Sequence, residues 1–171
     1  MLDKNKKLCY YKDTKKKEKN TMIKIFNFDL DGTLASLYEV EGWLEKLRSY
    51  DPSPYMEARP LLRLSTLAYY INKAQRNGWQ VNVVSWLSKC STPSYDEAVT
   101  EAKKEWLKKH LPSVQFDKVI IVPYGTPKHD LAKGVLFDDE APNREKWNSA
   151  NNSNHAFDAC EILQVMKDLI E

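Results

Sequence analysis

The sequence predicts an α/β protein: a three-layer, Rossmann-like α/β/α arrangement with a parallel sheet in the middle and a small helical insert. Three observations lead there. Four short, apolar, β-branched runs recur at 23–28, 81–85, 118–122 and 134–137. Helical patterns rather than hairpin turns separate most of them. The runs are continuous rather than alternating, as in strands covered on both faces.

Each element has its own signal. Ile23, Ile25, Phe26 and Phe28 make the first strand, and Gly32 lets the chain turn sharply after it. Residues 35–57 then break the rhythm. Leu37, Val40, Leu44 and Leu47 mark a short amphipathic helix, and Asp51-Pro52-Ser53-Pro54 reads as a loop. Because this insert follows the first strand directly, it is expected to overhang the strand tip as a cap.

A helix is expected over about 60–77, with Leu61, Leu64, Leu67, Ala68, Ile71 and Ala74 on one stripe and Asn77-Gly78 as its stop. The strand Val81-Asn82-Val83-Val84-Ser85 follows. Another helix is expected over about 94–110, with Ala98, Ala102 and Trp106 at i, i+4 and i+8, ended by Pro112. Strands Lys118–Val122 and Gly134–Phe137 come next, with Asn143 and Arg144 in the loop beyond. A last helix over about 158–170 turns Ile162, Val165, Met166 and Leu169 inward.

The chain has 171 residues, 42% of them hydrophobic, and five Trp, which fits one folded domain over 22–171. Its net charge of +2 hides an asymmetry. Residues 1–21 carry eight Lys against Asp3, Asp13 and Glu18, so the remainder is acidic. That basic segment, with Lys15-Lys16-Lys17 and little apolar content, is expected to be a disordered extension or an upstream start ahead of Met22. No apolar stretch follows its lysines as in a secretory signal, and no run is long enough to span a membrane. Cys9, Cys90 and Cys160 are odd in number and include no Cys-x-x-Cys pair, so neither a zinc site nor a disulfide framework is expected and a reducing cytoplasm fits.

The chemistry gathers at strand ends. Asp29 and Asp31 stand one residue apart in Asp29-Leu30-Asp31-Gly32-Thr33-Leu34, where a strand would point both side chains the same way. Close carboxylates repel unless a cation or proton intervenes. Ser85 ends the second strand, Lys128 lies in a Gly-Thr-Pro-Lys turn after the third, and Asp138-Asp139 ends the fourth. In a parallel sheet those ends share one edge, the carboxyl edge, where ligands bind. Lys133 competes with Lys128, but it directly precedes a strand and belongs at the opposite edge.

In this order the four features resemble the haloacid dehalogenase superfamily of phosphatases: Asp29-x-Asp31-Gly32-Thr33, then Ser85, Lys128 and Asp138-Asp139. The likeness covers about residues 22–147. The segment from Glu101 to Pro112 resembles more narrowly the 5′(3′)-deoxyribonucleotidase branch. The resemblance implies Asp29 as nucleophile, Asp31 as general acid, Lys128 as the cation on nucleophile and phosphate, and Thr33 orienting the Asp29 carboxylate. It implies Ser85 with backbone N–H groups, including that of Gly32, on the phosphate; Trp86 beside Ser85 walls the pocket or packs in the core. Mg²⁺ would be the cofactor, held by Asp29, the Asp31 carbonyl and Asp138 or Asp139.

The implied substrate is a small phosphate ester, a nucleoside 5′-monophosphate first. Tyr38, Trp43, Tyr50 and Tyr55 of the insert offer flat surfaces for it, or simply pack the insert on the core. Asn143 is expected to brace the site, and His129 stands beside Lys128. Two other readings remain open: phosphate removal from nucleic-acid ends, supported only by the tail lysines, and a non-catalytic metal-binding or regulatory protein. Oligomeric state is not readable.

Overall fold

A computed structural model describes residues 23–171. The basic segment expected to be disordered lies outside the described residues. Five parallel strands form one sheet in the order β3-β2-β1-β4-β5. They are β1 (Ile25–Phe28), β2 (Gln80–Trp86), β3 (Lys118–Val122), β4 (Val135–Phe137) and β5 (His155–Phe157). The order reverses between β1 and β4, which makes a switch point where the loops after two neighbouring strands diverge. Phe28 is in register with Val83 of β2 and with Phe137 of β4, so β1 and β4 end level while β2 runs on to Trp86.

Among the described residues six helices surround the sheet: α1 (Trp43–Arg48), α2 (Ser53–Glu57), α3 (Leu64–Arg76), α4 (Pro93–His110), α5 (Ala141–Ala150) and α6 (Ile162–Ile170). One sheet face carries Phe26, Phe28, Val81, Val83, Val135 and Phe137 into a core with Leu67 and Ile71 of α3, Trp106 and Leu107 of α4, and Val165 and Met166 of α6. Phe26 stacks on Trp79 with ring centroids 4.2 Å apart. The other face carries Leu136 and Ala156 against Trp147 of α5. Two buried asparagines also lie in the sheet: Asn82 Nδ2 donates to Asn27 Oδ1 at 2.9 Å, and Asn27 Nδ2 donates to the Lys133 carbonyl at 2.8 Å. This is the three-layer α/β/α fold that the strand-and-helix rhythm predicts.

Several local expectations give way. The insert is not one helix. A 3₁₀ turn at Leu37–Glu39 precedes α1, and Gly42 enters α1 with φ of 66°. The expected loop at Asp51–Pro54 is half helix, since Ser53 and Pro54 open α2: the Asp51 carboxylate accepts from the Ser53 N–H at 2.8 Å, and proline is well placed in a first helical turn. Asn143 and Arg144 lie in α5 rather than in a loop; Pro142 sits in its first turn, and its buried face rests on Trp147 alone. Strand β5, His-Ala-Phe, has three residues and no β-branched one, so it does not stand out from its flanks. The last helix starts only at Ile162, after a 3₁₀ turn that Asp158 and Glu161 cap reciprocally.

The insert is docked rather than free. Leu37, Leu47 and Tyr55 pack with Tyr95, Val99 and Ala102 of α4. Helix α4 therefore packs against both the 37–55 segment and part of the main core.

Candidate active site

The carboxyl ends of β1 and β4 place Asp29 and Asp138 at the switch point. The Asp29 N–H donates to the Phe137 carbonyl at 2.9 Å, extending the ladder one residue past the strand. Lys128 comes in from the 3₁₀ turn Lys128–Asp130. Its Nζ lies 2.8 Å from Asp29 Oδ1 and 2.7 Å from Asp138 Oδ2, with the lysine side chain only 3% exposed. Burial works against that charge, but the two carboxylates outweigh it and hold the Lys128 pKa above the ordinary lysine value. Nζ also sits 5.0 Å from the Trp86 ring centroid. The Trp86 indole donates to the Thr126 carbonyl at 2.8 Å and so ties the lysine-bearing loop to the end of β2. Lys133 is exposed at the amino end of β4, away from this cluster.

Asp29, Asp138 and Asp139 each offer an oxygen within 4.8 Å of the others. Asp138 is fixed by the Glu140 N–H at 2.9 Å and by Asn143 Nδ2 at 3.2 and 3.3 Å. Arg144 donates to the Asp138 and Asp139 carbonyls at 2.8 and 2.7 Å, and its guanidinium pairs with Asp158. Burial first, then the charges of Asp29 and Asp138, push the Asp139 carboxyl up to about 7. Asp138 is raised by the same two causes, burial and Asp29. Three converging hard oxygens whose charges resist one another suit a hard divalent cation. The Asp31 carboxylate is not part of this group.

Thr33 departs from expectation. Its hydroxyl does not reach Asp29 but donates to Asp139 Oδ1 at 3.2 Å and accepts from the Asp139 N–H at 3.1 Å. The cause is the turn at Gly32, whose φ of 77° swings the chain toward the tip of β4. A side chain at Gly32 would run into Asp139 and Tyr38.

Ser85 also sits differently from the sequence reading. It is wholly buried, and its Oγ accepts from Lys103 Nζ at 2.9 Å. It does not line the cavity above Asp29, whereas Trp86 and Ser88 do.

Lys103 is the residue the sequence analysis missed. It is fully buried on α4, and its Nζ forms an ion pair with Asp31 Oδ2 and donates to the Trp86 carbonyl at 2.6 Å. The available signal was positional. Lys103 falls four residues after Val99 and three before Trp106, on the apolar stripe, whereas neighbouring Lys104 is exposed. Burial raises the Asp31 pKa, Lys103 opposes the rise without cancelling it, and the Asp29 charge adds to it.

A cavity of about 810 Å³ opens over Asp29, Asp31 and Lys128. Tyr38, Trp43 and Tyr55 of the insert line it together with Trp86 and Tyr124, and with Arg48 and Lys89. Tyr38 and Trp43 meet edge to face at 5.1 Å. Tyr50 is not among the lining; it packs against Tyr95 at 5.4 Å. His129 does not line the cavity either and lies 3.7 Å from Asp130.

No family model matches the chain, and no curated protein matches it. Several solved structures do. One is D,D-heptose 1,7-bisphosphate phosphatase from B. bronchiseptica, complexed with magnesium and phosphate. It is 12% identical with a TM-score of 0.53, over 85% of this chain and 99% of that one. Another is a hydrolase from Streptococcus pneumoniae TIGR4, 13% identical with a TM-score of 0.50, over the same shares of the two chains. This chain has a haloacid dehalogenase-like fold. At such identities the likeness is one of fold. Neither neighbour is a nucleotidase by name, so the narrower resemblance to the deoxyribonucleotidase branch gains no support from them. Among the described residues no helix is long and apolar enough to cross a membrane.

Proposed function

We propose that the protein is a Mg²⁺-dependent phosphomonoester hydrolase working through an aspartyl-phosphate on Asp29. The observation that carries this reading is the buried contact of Lys128 with both Asp29 and Asp138 at the switch point, beside the three-carboxylate cluster. A nucleophilic carboxylate must stay ionised while approaching an anionic phosphoryl group. Lys128 supplies a fixed positive charge for that approach, and Asn143 and Arg144 hold the opposite carboxylate in place.

Asp29, Asp138 and Asp139 would hold the ion, with the Asp31 carbonyl as a further oxygen. Bound there, Mg²⁺ would neutralise phosphoryl charge and orient the group for in-line transfer. Asp31 would protonate the leaving oxygen and later take a proton from the attacking water. The heptose bisphosphate phosphatase of the same fold binds magnesium and phosphate, which fits this assignment.

The substrate proposed is a small phosphate ester bearing a flat group, a nucleoside 5′-monophosphate first. The aromatic walls of the cavity support it: a ring between the insert and Trp86 would bury its faces while its phosphate reached Asp29. In this reading residues 35–57 are the cap.

The test is phosphate release with Mg²⁺ from nucleotides, sugar phosphates, phosphopeptides and 5′- or 3′-phosphorylated oligonucleotides. Asp29→Asn, near-isosteric, is the control and is expected to lose roughly a thousandfold or more in kcat. Nucleotide turnover absent from the variant supports the proposal. Turnover surviving in a clean Asp29→Asn preparation overturns the nucleophile, and turnover of another class alone overturns the substrate.

A further inference from the structure

Lys103 is a cation with no exposed surface, placed among Val99, Ala102 and Trp106 on the buried stripe of α4. Taking an ammonium out of water costs several kcal/mol unless acceptors replace the lost hydration. An ammonium has three N–H donors and no acceptor. Here three acceptors meet it: Asp31 Oδ2, Ser85 Oγ at 2.9 Å and the Trp86 carbonyl at 2.6 Å. The Tyr55 ring closes the remaining side, 4.9 Å from Nζ. All of its donors are spent within the protein, so Lys103 has nothing left to offer a substrate.

Its partners come from two different strand ends, just beyond β1 and at the end of β2. The consequences for them are specific. Ser85 Oγ receives a hydrogen from Lys103, so its own hydrogen must point elsewhere. Asp31 has one oxygen held by Lys103, and the carboxylate as a whole lines the cavity beside Asp29 and Lys128. A carboxylate held by one oxygen cannot swing toward the cluster of Asp29, Asp138 and Asp139.

We infer that Lys103 is a positioning residue: it clamps the Asp31 carboxylate and the Ser85 hydroxyl together and so presents the second Asp31 oxygen to the leaving group of the phosphate ester. The inference rests on the hydrolase reading for its reaction, and on the contacts alone for its clamp. Lys128 thus serves the nucleophile side of the site and Lys103 the leaving-group side.

The experiment compares wild type with Lys103→Met, which keeps an unbranched side chain one atom shorter and removes all three donors. Both are assayed with Mg²⁺ on aryl and alkyl phosphates of graded leaving-group acidity. The variant is expected to lose on the order of 100-fold in kcat on the poorest leaving group, as for loss of a positioned acid, and less than about tenfold on the best, with little change in KM. A loss equal across the series, or one confined to KM, overturns the positioning role.

A second readout needs neither turnover nor a folded Lys103→Met. In ¹⁵N-lysine-labelled wild type, one slowly exchanging Nζ resonance should shift in Asp31→Asn and in Ser85→Ala but stay in place in Asp29→Asn; the Lys128 signal should do the reverse. Absence of that resonance overturns the clamp. Should wild type release phosphate from no ester, the hydrolase reading falls and the role of Lys103 in it falls too, while the resonance still decides whether the clamp exists.

Discussion

Trp106 donates its indole N–H to the carbonyl of Ala58 at 2.7 Å, and the bond is buried. Ala58 is the residue immediately after α2, where the insert returns to the main chain path, and Trp106 belongs to the core helix α4. One hydrogen bond therefore pins the exit of the insert to the body of the domain. Replacing Trp106 by Phe keeps an aromatic ring and removes the donor, leaving the carbonyl buried without its partner. The expected cost is about 1–3 kcal/mol in urea unfolding. Amide exchange should accelerate more across 37–58 than across α3. A loss confined to α3 would show that the bond does not anchor the insert.

Gly32 and Gly78 share nearly the same backbone angle, 77° and 78°, in different surroundings. Alanine at Gly78 meets nothing within 4 Å and should cost only the left-handed strain, about 1–2 kcal/mol. Alanine at Gly32 would put its Cβ 2.7 Å from Asp139 Cγ and 2.9 Å from Tyr38 Cε2. Gly32→Ala should therefore destabilise more than Gly78→Ala and weaken Mg²⁺ binding as Asp139 is displaced. Calorimetric titration checks it; equal Mg²⁺ affinity in both variants would exclude Asp139 from the ion site.

Lys128→Met leaves Asp29 and Asp138 facing each other without their cation. Removing one partner of a buried ion pair costs about 3–5 kcal/mol. Because the Asp138 carboxyl, already raised by burial and by the Asp29 charge, can relieve the repulsion by taking up a proton, the deficit against wild type should be largest in alkali and shrink as the pH falls. Urea titrations across the pH range read it, and a deficit independent of pH would mean the pair is not coupled to Lys128.

Asp139 sets a pH dependence for the metal-free protein. Its carboxyl rises from 3.8 to about 7 on folding, so the folded state binds that proton more tightly than the unfolded chain. The stability so contributed is complete below 3.8 and is lost as the pH rises through about 7. Asp31 and Asp138 are raised too and act in the same sense. Thermal melts in a chelator should show the melting temperature falling through this interval. Mg²⁺ at about a hundredfold over its Kd should add about 2.7 kcal/mol, roughly 5–10 °C, above pH 7. No Mg²⁺ effect on the melt would remove the ion from the proposal.

The sheet was legible because β1, β2 and β4 are largely buried and mostly apolar, because β3, though partly exposed at the sheet edge, is a run of Val and Ile after Lys118, and because Asp29, Lys128 and Asp138 fall where parallel strands end. What escaped had weak local signals. Strand β5 has three residues, and α5 buries mainly Trp147, so neither shows a period. Thr33 and Ser85 were placed on the correct strand ends, but which atom a hydroxyl meets depends on the angle of one glycine and on the helix above. Lys103 was hidden by its type: a lysine in a lysine-rich helix reads as solvated, and only its phase with Val99 and Trp106 marks it as buried.

Thr33 and Asp139 are separated by 106 residues, Asp31 and Lys103 by 72. No contiguous piece of this chain holds the site. During synthesis the tip of β1 emerges long before the acidic pair of β4, and its carboxylates wait without their cations until α4 and the Lys128 turn have docked. Closing such long loops is a late event in folding. A protein that has lost its last third, by nicking or by an early stop, would keep Asp29 and Asp31 and still lack Lys128, Asp138 and Asp139, the groups that the proposed chemistry needs beside them.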